Sequence, residues 1–268
     1  MSIEAENQWR VVSVSVAGRS HEKRGQLCQD AHYWQILPEG ILVAAVADGA
    51  GSSNLGDVGA KIAVGVAVEA ISQQNLLLAD DVGWQLLLVD ALRAAKNAVL
   101  AESRVREVEA RELATTLILV VATPGFAIAA QVGDGAAVVG DGEENVFSVT
   151  APQIGEHINE TIFLISEQGV ENAQVNIWRG KLVHLAIFSD GLQMLALKMP
   201  MGLPHSPFFA PLFKFMMVVT DEEEATKQLE EFLRSPKVTG KTDDDLTLLL
   251  AWYDESRRKS VFGRNYCL

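Results

Sequence analysis

Three apolar runs of the chain close on the same dipeptide: ILVAAVADG at residues 41–49, IAAQVGDG at 128–135 and LVHLAIFSDG at 182–191. A strand alternates its side chains between two faces, so a run that is apolar throughout reads as a strand buried on both. An aspartate released at the tip of such a strand is aimed by a stiff support. Several converging tips would form an all-oxygen pocket suited to hard divalent cations. Asp-Gly is also a strong hairpin-turn dipeptide, because both residues tolerate positive φ. The residues after each dipeptide separate the two readings. Asp48 precedes a glycine-rich loop, GAGSSNLG, and then helical periodicity; Asp190 precedes a helix start. Neither has a partner strand of matching length. Asp134 lies between IAAQV and AAVV, where a hairpin would look the same, and both readings stand. Asp141, between AAVV and ENVFSV, is assigned to a turn.

Outward from these runs, residues 9–17 alternate as a strand, with Val12, Val14 and Val16 on one face and Ser13, Ser15 and Ala17 on the other. A polar loop, GRSHEKRGQLCQDA, leads into a strand near 32–37. Asp57 is placed as the N-cap of a helix over about 58–72, and a second helix covers about 82–108. From 113 to 188 short strand signals succeed one another: LATTLILVVAT, FAIAAQV, AAVVG, ENVFSV, ETIFLIS, AQVNIW and KLVHLAIFS. Turn residues separate them, as in an antiparallel meander. Helical stretches at 191–198, 206–218 and 222–234 precede a last strand at 246–253. Helices early, strands in the middle and helices late describe a layered α+β sandwich. With no linker and no repeat, residues 1–268 read as one domain with a core of about 10–253 and a short basic tail (Arg257, Arg258, Lys259, Arg264).

The balance of 22 basic to 35 acidic residues leaves a formal charge of −13, which repels nucleic acid and anionic membrane alike. Cys28 and Cys267 form no metal spacing and no disulfide framework, the N-terminus has no signal-peptide run, and no apolar run is long enough to span a bilayer. A soluble cytoplasmic protein is expected, with neither nucleic acid nor membrane as partner. The glycine-rich loop lacks the Gly-Lys-Ser/Thr ending of a phosphate-binding loop and the spacing of a dinucleotide fingerprint. The five histidines show no ligand spacing, and Cys28 has no basic neighbour that would activate a thiol. Asp243, Asp244 and Asp245 stand just before the last strand; such a cluster is either a solvated loop or a site that a cation makes favourable.

Taken in order, Gln29-Asp30, Asp48-Gly49, Thr115-Thr116, Gly133-Asp134-Gly135, Ser189-Asp190-Gly191 and Asp244-Asp245-Leu246-Thr247 resemble the metal-dependent serine/threonine protein phosphatases of the protein phosphatase 2C (PPM) family, bacterial members in particular. The resemblance spans about residues 10–253. It implies a four-layer α-β-β-α sandwich, two mostly antiparallel sheets flanked by helices, with two Mg²⁺ or Mn²⁺ ions at one end. It further implies that Asp48 bridges the ions, that the Gly49 carbonyl helps bind one, and that Asp190 and Asp244 complete the other's shell. Asp30 would hold metal-bound water, and Asp134 with Asp190 would support a weaker third ion. The implied reaction is hydrolysis of phosphoserine or phosphothreonine in a phosphorylated protein, itself the product of a partner kinase, by a hydroxide bridging two cations about 4 Å apart.

This chain departs from the family pattern in several places. Ala50 stands where many members have a histidine that serves as a general acid; water, His32 or His21 would have to substitute. The phosphate-binding arginine falls at Gly25, with Arg24 one residue away, so Arg24 is carried as the candidate. Gln29 replaces a common Glu, and Ala136 and Ala137 occupy a stretch that often holds an arginine. These departures motivate two alternatives: a phosphatase-fold binding or regulatory module with weak or no turnover, and a phosphatase of small metabolites. Residues 199–219 (MPMGLPHSPFFAPLFKFMMVV) read as a kinked buried helical connection, or else as an apolar docking surface.

Overall fold

The computed structural model describes residues 8–74, 80–153 and 161–255. The basic tail, Cys267 and His157 lie outside them. In chain order the elements are β1 (Trp9–Val16), α1 (Arg19–Arg24), β2 (Asp30–Leu37), β3 (Ile41–Asp48), α2 (Gly56–Ser72), α3 (Asp81–Val105), β4 (Leu117–Thr123), β5 (Phe126–Val132), β6 (Ala136–Gly140), β7 (Val146–Ser148), β8 (Gln174–Arg179), β9 (His184–Phe188), α4 (Gln193–Ala196), β10 (Leu197–Lys198), β11 (Leu203–Pro204), α5 (Ser206–Val218), α6 (Glu222–Leu233), α7 (Pro236–Thr239) and β12 (Leu246–Tyr253). Two five-stranded sheets, ordered β1-β12-β9-β6-β7 and β2-β3-β4-β5-β8, are antiparallel throughout.

Strand parity sorts the apolar side chains into three slabs. Ile41, Val43, Ala45 and Ala47 of β3 face α2 and α3, while Leu42, Ala44 and Val46 face the other sheet. In the first sheet Val12, Val14 and Val16 of β1, with Leu248 and Leu250 of β12, pack under α5 and α6; Leu249 and Ala251 point between the sheets. Helix, sheet, sheet and helix therefore form four layers around three apolar interfaces. That is the α+β sandwich expected, and it explains why the middles of β3, β4, β5, β9 and β12 are apolar on both faces.

Several local expectations differ. Within ETIFLIS, residues 161–166 form no strand: residues 164–170 are turns and a bend, with Leu164 N–H donating to Thr115 O (2.8 Å). The edge beyond β5, where it could have paired, is taken by β8. Residues 191–198, read as helical, are helical only as far as Ala196: a 3₁₀ turn over Asp190–Leu192 leads into the short α4, and β10 follows. The loop between β1 and β2 contains α1, a polar helix closed by Gly25 in the left-handed region (φ 66°). Asp57 is not an N-cap: α2 begins at Gly56, and Asp57 in its first turn pairs with Lys61 (2.9 Å). Residues 199–219 divide. Phe209, Leu212, Phe213 and Met216 of α5 are buried against the first sheet, whereas Met199, Met201 and Leu203 around the β10–β11 turn stay exposed.

Candidate functional site

Antiparallel register sets the first pair of carboxylates. Asp30 opens β2 and Asp48 closes β3, and the two are direct cross-strand partners. The end of β3 is cinched by the two threonines. Thr115 Oγ1 (2.9 Å) and Thr116 N–H (2.8 Å) donate to Asp48 O, while Asp48 N–H donates to Thr116 Oγ1 (3.0 Å). Gly49 then crosses the start of α2 so closely that a Cβ would lie 2.5 Å from Gly56 C and 2.8 Å from Gln29 O. Only glycine fits there, so the strand tip, the loop and α2 share one fixed junction.

The second sheet edge supplies the others. Gly133-Asp134-Gly135 is not a hairpin: β5 and β6 belong to different sheets, and this tripeptide carries the chain from one to the other. Gly133 takes φ 114°, and a Cβ on Gly135 would stand 2.5 Å from Phe188 O, so both glycines serve the crossing. Thr161 Oγ1 donates to Asp134 Oδ2 (2.8 Å), and the Gln193 side-chain amide donates to Asp134 O. Asp190 follows β9, and a Cβ on Gly191 would lie 2.1 Å from Asp245 O, which locks the β9 and β12 ends together. Asp141 accepts from Glu143 N–H and Asn145 and is a turn residue, as its sequence context suggests.

One carboxylate oxygen from each of Asp48, Asp134 and Asp190 lies within 4.8 Å of the other two. Asp30 joins through Asp48, and its Oδ2 accepts from Ser189 Oγ (2.7 Å). Asp244 is exposed, with Asp245 N–H on its Oδ1 (2.9 Å), and it is near enough for its charge to act on Asp48, Asp134 and Asp190. Burial is the main reason that Asp30 is pushed up to about 7, with the Ser189 hydrogen bond opposing and the Asp245 charge adding. Burial, then the Asp134 charge, lifts Asp190 to about 6. Asp48 is raised well above the usual carboxylate range by burial and then by the charges of Asp30 and Asp190, and burial also raises Asp134.

Among the described residues, Oδ1 of Asp30, Asp134 and Asp190 is buried with no hydrogen-bond partner. Buried acceptors are normally satisfied, and like charges at this spacing exclude one another unless a cation intervenes. Orphaned oxygens, mutual repulsion and an all-oxygen donor set together fit Mg²⁺ or Mn²⁺.

Asp245, at the end of an acidic run, has a role that sequence did not distinguish. It is buried and accepts from Gly18 N–H (2.7 Å), His21 Nδ1 (2.8 Å) and Gln29 N–H (2.6 Å), which ties α1 and the start of β2 to β12. Parity would have found it: Asp245 is in phase with Thr247 and Leu249, the side of β12 that faces between the sheets. His21 is thereby committed to Asp245 and buried. His32 Nδ1 meets Ser15 Oγ (2.9 Å), and burial lowers its proton affinity. Arg24 sits on the exposed side of α1, with its Nε on Ser20 O (3.1 Å). Cys28 is a free thiol driven upward by burial and then by the Asp30 and Asp245 charges, so it remains protonated.

Known proteins are similar along most of the chain. A family model described as protein phosphatase 2C matches residues 17–234. Serine/threonine-protein phosphatase 3 of Escherichia coli (strain K12) is 35% identical over 254 residues, covering 92% of this chain and 99% of that protein. Among solved structures, the S. agalactiae serine/threonine phosphatase superposes with a TM-score of 0.66 at 13% identity, over 91% of this chain and 99% of its own. The catalytic domain of the serine/threonine protein phosphatase PstP, solved in complex with two manganese ions, gives 0.59 at 15% identity, over 91% and 97%; likeness at that identity speaks for the fold. No helix among the described residues is long and apolar enough to cross a membrane. The matched model and the 35% identical relative make the chain a member of the protein phosphatase 2C family of serine/threonine protein phosphatases.

Proposed function

We propose that the protein hydrolyses phosphoserine and phosphothreonine esters of cytoplasmic phosphoproteins, products of a partner serine/threonine kinase, using two Mg²⁺ or Mn²⁺ ions. The observation that carries this reading is the convergence of Asp48, Asp134 and Asp190, with buried Oδ1 atoms of Asp30, Asp134 and Asp190 that have no hydrogen-bond partner among the described residues. Asp48, the Gly49 carbonyl, Asp190 and Asp244 would hold the two ions, and Asp134 a third. When bound, the ions would polarise water and neutralise charge on the phosphoryl oxygens.

The chain's own groups supply the rest. Asp30 Oδ1 is unbonded among the described residues, beside Asp48 across the strand pair, and belongs to a carboxyl whose proton affinity lies near neutrality in the absence of metal. That atom is suited to hold the attacking water and take its proton. Ser189 fixes the other oxygen of Asp30, and Thr247 N–H fixes Ser189 (2.9 Å), so the base is oriented from β12. In this reading the water attacks phosphorus directly, and the protonated Cys28 thiol offers no competing thiolate. Ala50 has no proton to give and His32 is engaged with Ser15, so the leaving serine oxygen takes its proton from solvent. Arg24 is the candidate for the phosphate oxygens.

Release of phosphate from a phosphoserine peptide should require Mn²⁺ or Mg²⁺ and vanish in the double variant Asp48→Asn, Asp190→Asn. Full activity in that variant would exclude this site. Ala50 favours one competing reading, a metal-binding regulatory module. Calorimetry showing tight Mn²⁺ binding, with no turnover of any phosphopeptide, would decide for it.

A further inference from the structure

Immediately after Asp190 the chain builds a short ledge that leaves apolar side chains in water. Met194 is 70% exposed, Met201 69%, Leu203 50% and Met199 39%. Exposed apolar residues are ordinary when scattered, but these lie in one segment. The segment is also held in place. Gln193 reaches Asp134 O, His205 N–H donates to Ala196 O (2.8 Å), β10 and β11 pair Leu197 with Pro204 and Lys198 with Leu203, and Gly202 (φ 64°) seats the turn against Ala151 and Pro152. Met194 therefore stands one residue from a side chain bonded to the carboxylate loop, on a fixed support.

We propose that this ledge, Met194 with Met199, Met201 and Leu203, is the specificity surface for the polypeptide around the phosphorylated residue, and that it selects substrates with apolar residues beside the phosphoserine or phosphothreonine. The inference rests on the phosphatase activity proposed for the carboxylate site. Continuity with that site identifies the occupant. A phosphoryl group at Asp48 and Asp190 brings its own backbone within about two residue lengths, each about 3.3 Å, so the flanking residues must lie on whatever surrounds those carboxylates. Methionine is unbranched and polarizable, and adapts to apolar side chains of several shapes without demanding one sequence. Apolar contact also discriminates among the neighbours of the phosphate without placing further charge beside the carboxylates.

The test uses two fluorescein-labelled phosphoserine peptides that differ only in the adjacent residues, leucine and phenylalanine in one, serine and glutamine in the other. Each is titrated by anisotropy against the Mn²⁺-loaded wild type and the Met194→Glu, Met201→Glu variant, and each is assayed for phosphate release alongside p-nitrophenyl phosphate. The wild type should bind the apolar peptide about five- to tenfold more tightly than the polar one, the worth of roughly one partly buried side chain. The variant should lose that preference, by a rise in KM, with p-nitrophenyl phosphate turnover unchanged. No preference in the wild type, or a preference that survives in the variant, overturns the proposal, as does a change in solution mass of the variant, which would make the ledge a contact between copies. Stopped-flow mixing reads the anisotropy before the peptide is turned over, so the preference is measured apart from phosphate release. Preferential binding with no turnover would thus sink the hydrolytic reading while leaving the ledge in place.

Discussion

Asp30 and Asp48 face each other as the first residue of one strand and the last residue of the next, paired in register at the rim of their sheet. Backbone hydrogen bonding holds two buried carboxyl groups together that electrostatics would separate. Burial first, and then the charges of neighbouring carboxylates, raise the proton affinity of both.

Replacing Asp48 by Asn removes the carboxylate that interacts with both Asp30 and Asp190. Phosphopeptide turnover should fall at least about 100-fold. Metal-free stability at pH 7.5 should rise, because one member of a repelling cluster is gone. Calorimetric melting in EDTA together with a steady-state assay checks both; a variant that is inactive and also less stable without metal would show that Asp48 is not under repulsion.

The metal-free protein should lose stability as pH rises. Asp30 and Asp190 bind protons more tightly when folded, to about 7 and about 6, than at the ordinary 3.8. Between those values the folded state carries more protons than the unfolded, so the slope of unfolding free energy against pH is negative. Their contribution is fully present below about pH 3.8 and is lost as pH climbs through the folded values. A drop of about 5 °C in melting temperature from pH 5 to 7.5 in EDTA is expected, abolished by millimolar Mn²⁺.

Neighbouring aspartates should behave oppositely. Asp245→Ala strands the buried Gly18 N–H, Gln29 N–H and His21 Nδ1, and should destabilise the fold by about 3–5 kcal/mol in urea denaturation. Asp244→Ala, at an exposed position, should change folding by less than about 1 kcal/mol yet weaken Mn²⁺ binding measured by calorimetry. Equal effects of the two on folding would contradict the division of labour.

His184, at the far end of β9 from Asp190, gives the reverse pH dependence. Its ring stacks on Phe213 (centroids 4.5 Å apart) and burial lowers its pKa from 6.5 to about 4. The unfolded chain takes up the proton first, so the neutral ring's contribution is complete above pH 6.5 and is lost as pH falls toward 4. His184→Phe should remove about 2–3 kcal/mol of acid sensitivity by pH 4.5, read from paired denaturation curves of wild type and variant.

Much of the fold and site is legible in local period and termination. Runs apolar on both faces read as doubly buried strands, and Asp48 and Asp190 stand out because no partner strand comes after them. Other features need neighbours. ETIFLIS has strand composition, but the sheet edge it would occupy belongs to β8. Asp134-Gly135 looks equally like a hairpin, and only its passage between sheets brings Asp134 to Asp48 and Asp190. Asp245 is chemically identical to Asp244, yet one is buried under three donors and the other faces water.

The sequence by itself determined most of the buried strands, ETIFLIS aside, and that Asp48 and Asp190 terminate two of them, since hydrophobic periodicity and chain termination are properties of adjacent residues. Tertiary structure alone decided convergence: Asp30 meets Asp48 through strand register, Asp190 and Asp245 are locked by contacts at Gly191 that admit no side chain, and Met194 and Met201 stay exposed. Those distances are set by close packing between elements remote in the chain, and no local pattern encodes them.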